Sequence, residues 1–305
     1  MRPEVERVVQ LIQRKDPKSI EEALALLQTT VFSFSMKVCG QRQDAEDTMQ
    51  EVLLKSVPNL PKFDSPKALT VWLYKVAKTR CLMSRRRSTF APKEDLSLDE
   101  LMPERRELQE LVGSLERSPE SSLLRRESAK RLREAVQRLP AEYRLILVLH
   151  DMEELSDSDI AEITGLRPGT IRVRLHRARL FVRKELVKRE QHWMRRQTAK
   201  SSREKLPVAE PPQGHCREVF AELSNYLDNE LDDSLCEELE KHMDGCEACK
   251  AFLSSLENSI QRCRVAPNEL PDPNVAAKLR RELMAEYQEL MRKIVRHDPR
   301  QSSGT

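Results

Sequence analysis

The stretch LSDSDIAEITGLRPGTIRVRLHRARLFVRKEL, residues 155–186, restricts the possible folds more than any other part of the chain. Ser156 followed three residues later by Asp159 resembles a capping box, in which side chains satisfy the orphan amides of a first helical turn. Ile160, Ala161 and Ile163 supply the apolar side of a short helix. Gly165 suits a tight turn, Leu166 tucks into the core, and Pro168 stands where a second helix can begin, since a first helical position needs no amide. On that second helix Ile171, Leu175, Ala178 and Val182 share one face and are expected to be buried, while Arg172, Val173, His176 and Arg177 are thrown to the opposite side or its flanks. This is the pattern of a helix-turn-helix, whose second helix enters the major groove of DNA. Residues 167–196 hold eleven Lys+Arg and two Asp+Glu, a footprint for phosphates. An ordinary solvated hairpin shares the charge but needs neither the cap, the turn nor the apolar register.

Charged residues make up 34% of the 305 and aromatics 4%, with seven glycines, a composition that predicts an all-α protein. The length suffices for two or three small domains. Charge is unevenly spread: residues 1–200 carry 39 Lys+Arg against 30 Asp+Glu, and residues 201–305 carry 14 against 20. A basic body fits nucleic acid, and an acidic tail fits a basic protein surface. No apolar run approaches the length of a membrane span, and the start MRPEVERVVQ lacks an apolar signal segment. The expected location is therefore the cytoplasm, without membrane contact, where the seven cysteines are expected to be reduced and a close cluster reads as metal or redox chemistry.

Residues 4–57 read as helices, with Ala23, Leu24, Leu27, Val31 and Phe34 at helical spacing; Pro58 and Pro61 break the pattern, and another helix runs from about Lys67 to the basic run Arg85-Arg86-Arg87. The expected organisation is a first domain at 1–88, a mostly extended linker at 89–122 with a helical turn near Arg105 to Leu111, and a second domain at 123–195. A flexible tether at 196–214 leads to a small unit at 215–263. Residues 264–305 add a linker and one amphipathic helix, with Val275, Leu279, Leu283, Tyr287, Leu290 and Ile294 along one face.

The run AVQRLPAEYRLILVLHDMEELSDSDIAEITGLRPGTIRVRLHRAR resembles domain four of the extracytoplasmic-function sigma factors, with Leu139-Pro140, Arg144, Ile160-Ala161-Glu162 and Gly169-Thr170 as family hallmarks. DAEDTMQEVLLKSV and KALTVWLYKVAKTRCLMSRRR are similar to domain two of the same family, and the two matches stand in family order over about residues 20–190. The resemblance implies two helical domains, partnered by core RNA polymerase and promoter DNA. It implies that Asp44, Asp47, Gln50 and Glu51 dock on the polymerase, and that Arg172, Val173, His176 and Arg177 meet the −35 element. At the −10 element it implies Lys62, Lys75, Lys78, Thr79, Arg85, Arg86 and Arg87, cations that hold the backbone while an exposed base is captured. Trp72 is expected in the core rather than on a base. Thr79 stands where the family usually has Asn, and Val173 where Ser is common, so the promoter sequence is not carried over.

Cys216, His242, Cys246 and Cys249 form a C-x25-H-x3-C-x2-C pattern, a closed three-Cys, one-His set suited to one zinc ion, structural or redox-sensing. If the helix runs on, His242 and Cys246 lie one turn apart on the same face. The surrounding LSNYLDNELDDSLCEELEKHMDGCEACKAFL resembles the zinc-binding domain of anti-sigma factors, which implies Cys216 rather than His215 as first ligand. Cys39, Cys81, Cys236 and Cys263 read as buried small residues or free thiols. Residues 206–250 hold 12 Asp+Glu against 3 Lys+Arg, and a tether of about 20 residues gives an effective concentration near millimolar. A regulatory contact of the C-terminal region with the sigma domains in cis is therefore expected. The competing readings are a structural or docking role for the zinc unit, or a helix-turn-helix factor working without core polymerase. No nucleophile–base set, phosphate-cradling glycine loop or open metal position suggests an enzyme.

Overall fold

The computed structural model describes residues 3–14, 16–86, 95–112, 122–197 and 214–296, all helices and connections with no strand among them. They fall into two units, one drawn from 1–91, 162–165 and 268–305 and the other from 92–161 and 166–267. Arg87 and most of the tether at 196–214 lie outside the described residues.

In the first unit α1 (Pro3–Arg14), α2 (Pro17–Cys39), α3 (Arg42–Ser56) and α4 (Pro66–Arg86) surround one core, and the prolines Pro58 and Pro61 sit in a tight 3-10 segment, Val57–Lys62. Asp16 caps α2 by accepting from the Ser19 amide at 2.9 Å, and Pro17 fills the first position, where no amide is needed. Gly40 closes that helix at φ +83°, a left-handed conformation that glycine adopts without steric cost. Ile20, Leu24, Leu27, Val31 and Phe34 of α2 are fully buried, as are Met49 and Leu53 of α3.

One feature of this unit departs from expectation. Cys39 and Cys81 are buried, as expected, but are joined in a disulfide between α2 and α4 instead of standing as free thiols. Thr48 lies beside each sulfur. The last helix, α14 (Pro273–Arg296), expected to contact the sigma domains, belongs to this same unit. Leu279, Leu283 and Tyr287 are buried as their spacing predicts, but Val275 is exposed and Ala276 takes the inward place. Gln28 donates to the Ala276 carbonyl at 2.9 Å and accepts from Arg280 at 3.1 Å, while Asn268 accepts from Ser33 at 2.9 Å. Burying each large apolar side chain contributes about 1.5–3 kcal/mol, so this helix is a full member of the core.

The second unit contains α5 (Leu98–Leu101), α6 (Arg105–Val112), α7 (Ser122–Arg138), α8 (Ala141–Leu147, continued by a wider turn over Val148–Met152), α9 (Asp157–Thr164, whose last residues count with the first unit) and α10 (Pro168–Gln197). It also contains α11 (Gly214–Leu227), α12 (Asp233–Gly245) and α13 (Glu247–Arg264). The linker is thus more helical than its polar composition suggests: α5 and α6 bury Leu101, Leu108 and Leu111 in one cluster with Val219, Phe220 and Phe252. Tertiary contact overrides a weak local preference here.

Candidate nucleic-acid interface and metal centre

The helix-turn-helix forms as its sequence dictates. The Asp159 amide donates to Ser156 Oγ at 3.2 Å, Gly165 turns at φ +75°, and Pro168 opens α10. Ile160, Ile163, Ile171, Leu175, Ala178 and Val182 are all buried. On the other side Val173 is 51% exposed and Arg177 is partly so.

Arg172 and His176 are met by residues of α11 and the loop after it. Arg172 Nε lies 2.7 Å from Glu230 and 3.2 Å from Asp157. His176, expected to face outward, is only 8% exposed, with Nδ1 3.0 Å from Ser224 Oγ. Burial foremost, then the charges of Arg179 and Arg177, lower its pKa to about 4.

Further along the same stripe two arginines turn inward that the count of basic residues assigned to phosphates. Arg179 is buried between Asp151 and Asp228, at 2.6 Å from each. Burial pushes the Asp151 carboxyl up, but the Arg179 charge outweighs it and holds that carboxyl well below its usual range. Arg183 is buried against Glu107, and its guanidinium lies 4.0 Å from the centre of the Phe252 ring. Residues 172, 176, 179 and 183 recur at helical spacing, so α10 presents one polar stripe to a partner surface. That periodicity, set against the acids of residues 228–233, was the available signal.

The four candidate ligands meet in the same unit. Cys216 comes from α11, His242 from the last turn of α12 and Cys249 from the first turn of α13. Cys246 is not on a continuing helix: it is extended, at φ −129° and ψ 96°, and separates α12 from α13. Their ligand atoms lie within 4.8 Å of one another. Cys216 Sγ is 3.5 Å from His242 Nε2 and 4.0 Å from Cys246 Sγ. Zinc bonded tetrahedrally to thiolate and imidazole places such atoms about 3.5–3.8 Å apart, so the set fits that ion. Burial, then Cys246 and Cys216, push the Cys249 thiol far up; a bound cation would offset that.

The sequence matches the family Sigma-70 region 2 over residues 25–90 and Sigma-70, region 4 over residues 129–182. It is 26% identical over 187 residues to the ECF RNA polymerase sigma factor SigW of Bacillus subtilis, covering 60% of this chain and 96% of that protein. The chain belongs to the extracytoplasmic-function sigma factors. The RNA polymerase sigma-H factor of Pseudomonas aeruginosa is 29% identical over 184 residues, 59% of this sigma factor and 93% of the other. A third match, to a putative zinc-finger family, covers residues 216–250. Members of the sigma family are transcription initiation factors rather than catalysts. A solved complex of the sigma factor RpoE with the anti-sigma factor NepR from Bartonella quintana aligns over 55% of this chain and 97% of that one, at 21% identity and a TM-score of 0.39. No described helix of this sigma factor is long and apolar enough to cross a membrane.

Within region two, Asp47 and Gln50 are exposed on α3, Asp44 is partly so, and Glu51 pairs with Lys55 at 2.7 Å and Arg80 at 2.9 Å. Lys62 is exposed and donates to Asn59; Lys75 and Thr79 are exposed on α4, Thr79 donating to the Lys75 carbonyl. Lys78 is half-buried, and burial, then the charge of Lys75, lowers its pKa. Arg85 and Arg86 close α4, their side chains outside the description. Trp72 is partly buried with its ring 5.6 Å from that of Phe63.

Proposed function

We propose that this sigma factor is restrained in cis by its own C-terminal region, and that the zinc unit masks the helix that reads the −35 element. In the active state Asp44, Asp47, Gln50 and Glu51 dock on core polymerase. Lys62, Lys75, Lys78, Thr79, Arg85, Arg86 and Arg87 hold the −10 strand, and Arg172, Val173, His176 and Arg177 enter the −35 groove. Cys216, His242, Cys246 and Cys249 hold one zinc ion, which supplies folding free energy to a unit with a small core of its own. The protein works in the cytoplasm, where polymerase and promoter are.

One observation carries the reading: two of the four residues assigned to the −35 groove, Arg172 and His176, are engaged by Glu230 and Ser224. A carboxylate against an arginine meant for DNA takes the place of a phosphate or a base edge.

The test is run-off transcription from genomic fragments with core polymerase. Glu230→Arg sets like charges against each other and should raise the output, whereas Arg177→Ala should lower it by weakening −35 contact about tenfold or more. Output from Glu230→Arg equal to or below wild type overturns the masking role. For α14 a second reading is favoured by its burial: Leu283 has no exposed surface, so this helix completes domain two instead of latching it. Removing residues 206–305 would therefore damage region two as well, which is why the test uses single substitutions in the full chain.

A further inference from the structure

Residues 95–112 lie outside all three family matches, yet they are built into the core of the second unit. Helices of four and eight residues do not persist alone in water, where fewer than about 12–15 residues are marginal. Something must hold them, and the contacts say what. Leu101, Leu108 and Leu111 are 4%, 1% and 9% exposed, inside a cluster whose other members are Leu180 of α10 and the apolar side of the zinc unit.

The polar contacts converge on the same place. Arg183 of α10 has no exposed side-chain surface; it pairs with Glu107 of α6 and lies 4.0 Å over Phe252 of α13. Its Nε and Nη1 have no hydrogen-bond partner among the described residues. A buried cation in that state depends on the carboxylate and the ring that remain. Lys184 of α10 also donates to the Glu100 carbonyl of α5. Three elements, α6, α10 and α13, thus meet on one arginine.

We infer that the zinc unit clamps the interdomain linker: with α13 in place residues 98–112 form a helical strap, and without it they are an extended chain. This deepens the restraint proposed above and rests on it. The physical consequence is reach. Twelve residues in α5 and α6 span about 18 Å as helix at 1.5 Å per residue, and about 40 Å when extended. Elements named for positions −10 and −35 lie about 25 base pairs apart, roughly 85 Å at 3.4 Å each. Clamping the strap shortens what two tethered domains can bridge, a second brake independent of masking Arg172 and His176.

The experiment uses full-length, zinc-loaded protein. Amide exchange read by mass spectrometry should show residues 98–112 protected in wild type. In Leu108→Ala/Leu111→Ala exchange there should be at least tenfold faster, with one zinc per chain retained. Glu107→Arg, which sets a like charge against Arg183 at the edge of the strap, is the second variant. Both should raise run-off transcription severalfold. Unprotected exchange in wild type, unchanged protection in both variants, or lost protection with unchanged transcription each overturns the clamp. If Asp228→Ala raises transcription while the strap variants do not, masking stands and the clamp falls. If none of the three raises it, the restraint in cis itself is wrong.

Discussion

Asp228→Ala is the sharpest probe of the proposed hold of the zinc unit on α10. Arg179 sits between two carboxylates and is fully buried; Asp151, also fully buried, binds it through Nε at 2.9 Å and Nη2 at 2.6 Å. Asp228 binds it through Nη1 at 2.6 Å and Nη2 at 2.9 Å. The two acids differ in what they hold. Asp151 belongs to the helix-turn-helix domain itself, so its pair with Arg179 survives whether or not the zinc unit is engaged. Asp228 directly follows α11, and on the proposed masking it reaches Arg179 only while the zinc unit is engaged. Breaking a buried pair costs about 3–5 kcal/mol when a charge is stranded, but here Asp151 still neutralises Arg179. The loss is then one charge-assisted interaction, about 2 kcal/mol, or a shift of roughly thirtyfold toward the released state. Exchange at the amides of α10 should quicken and run-off transcription should rise, while the melting temperature changes little. Asp151→Ala should instead lower the melting temperature by leaving Arg179 under-neutralised inside its own domain. Equal exchange and equal transcription in Asp228→Ala and wild type would show that the ion pair does not hold the two parts together.

Purified protein should carry one zinc per chain by atomic emission, and Cys249→Ser should lose it and unfold residues 216–256 by amide exchange; stoichiometric zinc in that variant would rule out the ligand set. His176 has a folded pKa near 4, below its usual 6.5, so the released state takes up the proton first. The engaged state is favoured above about pH 6.5 and loses up to tenfold per unit as pH falls toward 4, and His176→Gln should flatten that profile of α10–α11 exchange. For the Cys39–Cys81 pair, alkylation of protein unfolded under acid quench should leave two cysteines unreacted until a reductant is added. The bond spans 42 residues, which in the chain-entropy model stabilises region two by about 4 kcal/mol, so the reductant should lower its melting temperature; reaction of all seven cysteines without reductant would refute the pairing.

What could be seen in the sequence was whatever depends on neighbours a few residues apart. The cap at Ser156, the turn at Gly165 and the start at Pro168 are local demands of backbone geometry, and each is met. The same holds for the cysteine and histidine spacing that gathers one ligand set. What escaped depends on distant partners. Leu101, Leu108 and Leu111 look like scattered apolar residues in a polar linker until α13 supplies their other side. Cys39 and Cys81 carry no motif, since only the crossing of α2 and α4 brings them together. Arg179 and Arg183 were counted with the outward cations because a buried arginine shows itself only when its acids, 49 and 76 residues away, are in place. The helical phase expected between His242 and Cys246 failed for a smaller reason, as the helix ends at Gly245 and Cys246 is extended.

The membership of α14 in the first unit has a consequence in time. Helices α1–α4 are complete at Arg86, but the helix that covers Gln28 and buries its own Leu283 begins only at Pro273. At about 5–20 residues per second, a ribosome needs roughly 10–40 s to make the chain between them. During that interval the nascent region two stands without its last helix, while the zinc unit, residues 214–264, is made after α10 and before α14. If the zinc unit masks α10 as proposed, each newly made copy passes through an unmasked stage, and freshly synthesised and aged protein differ toward polymerase. A burst of synthesis would then act as a signal in its own right.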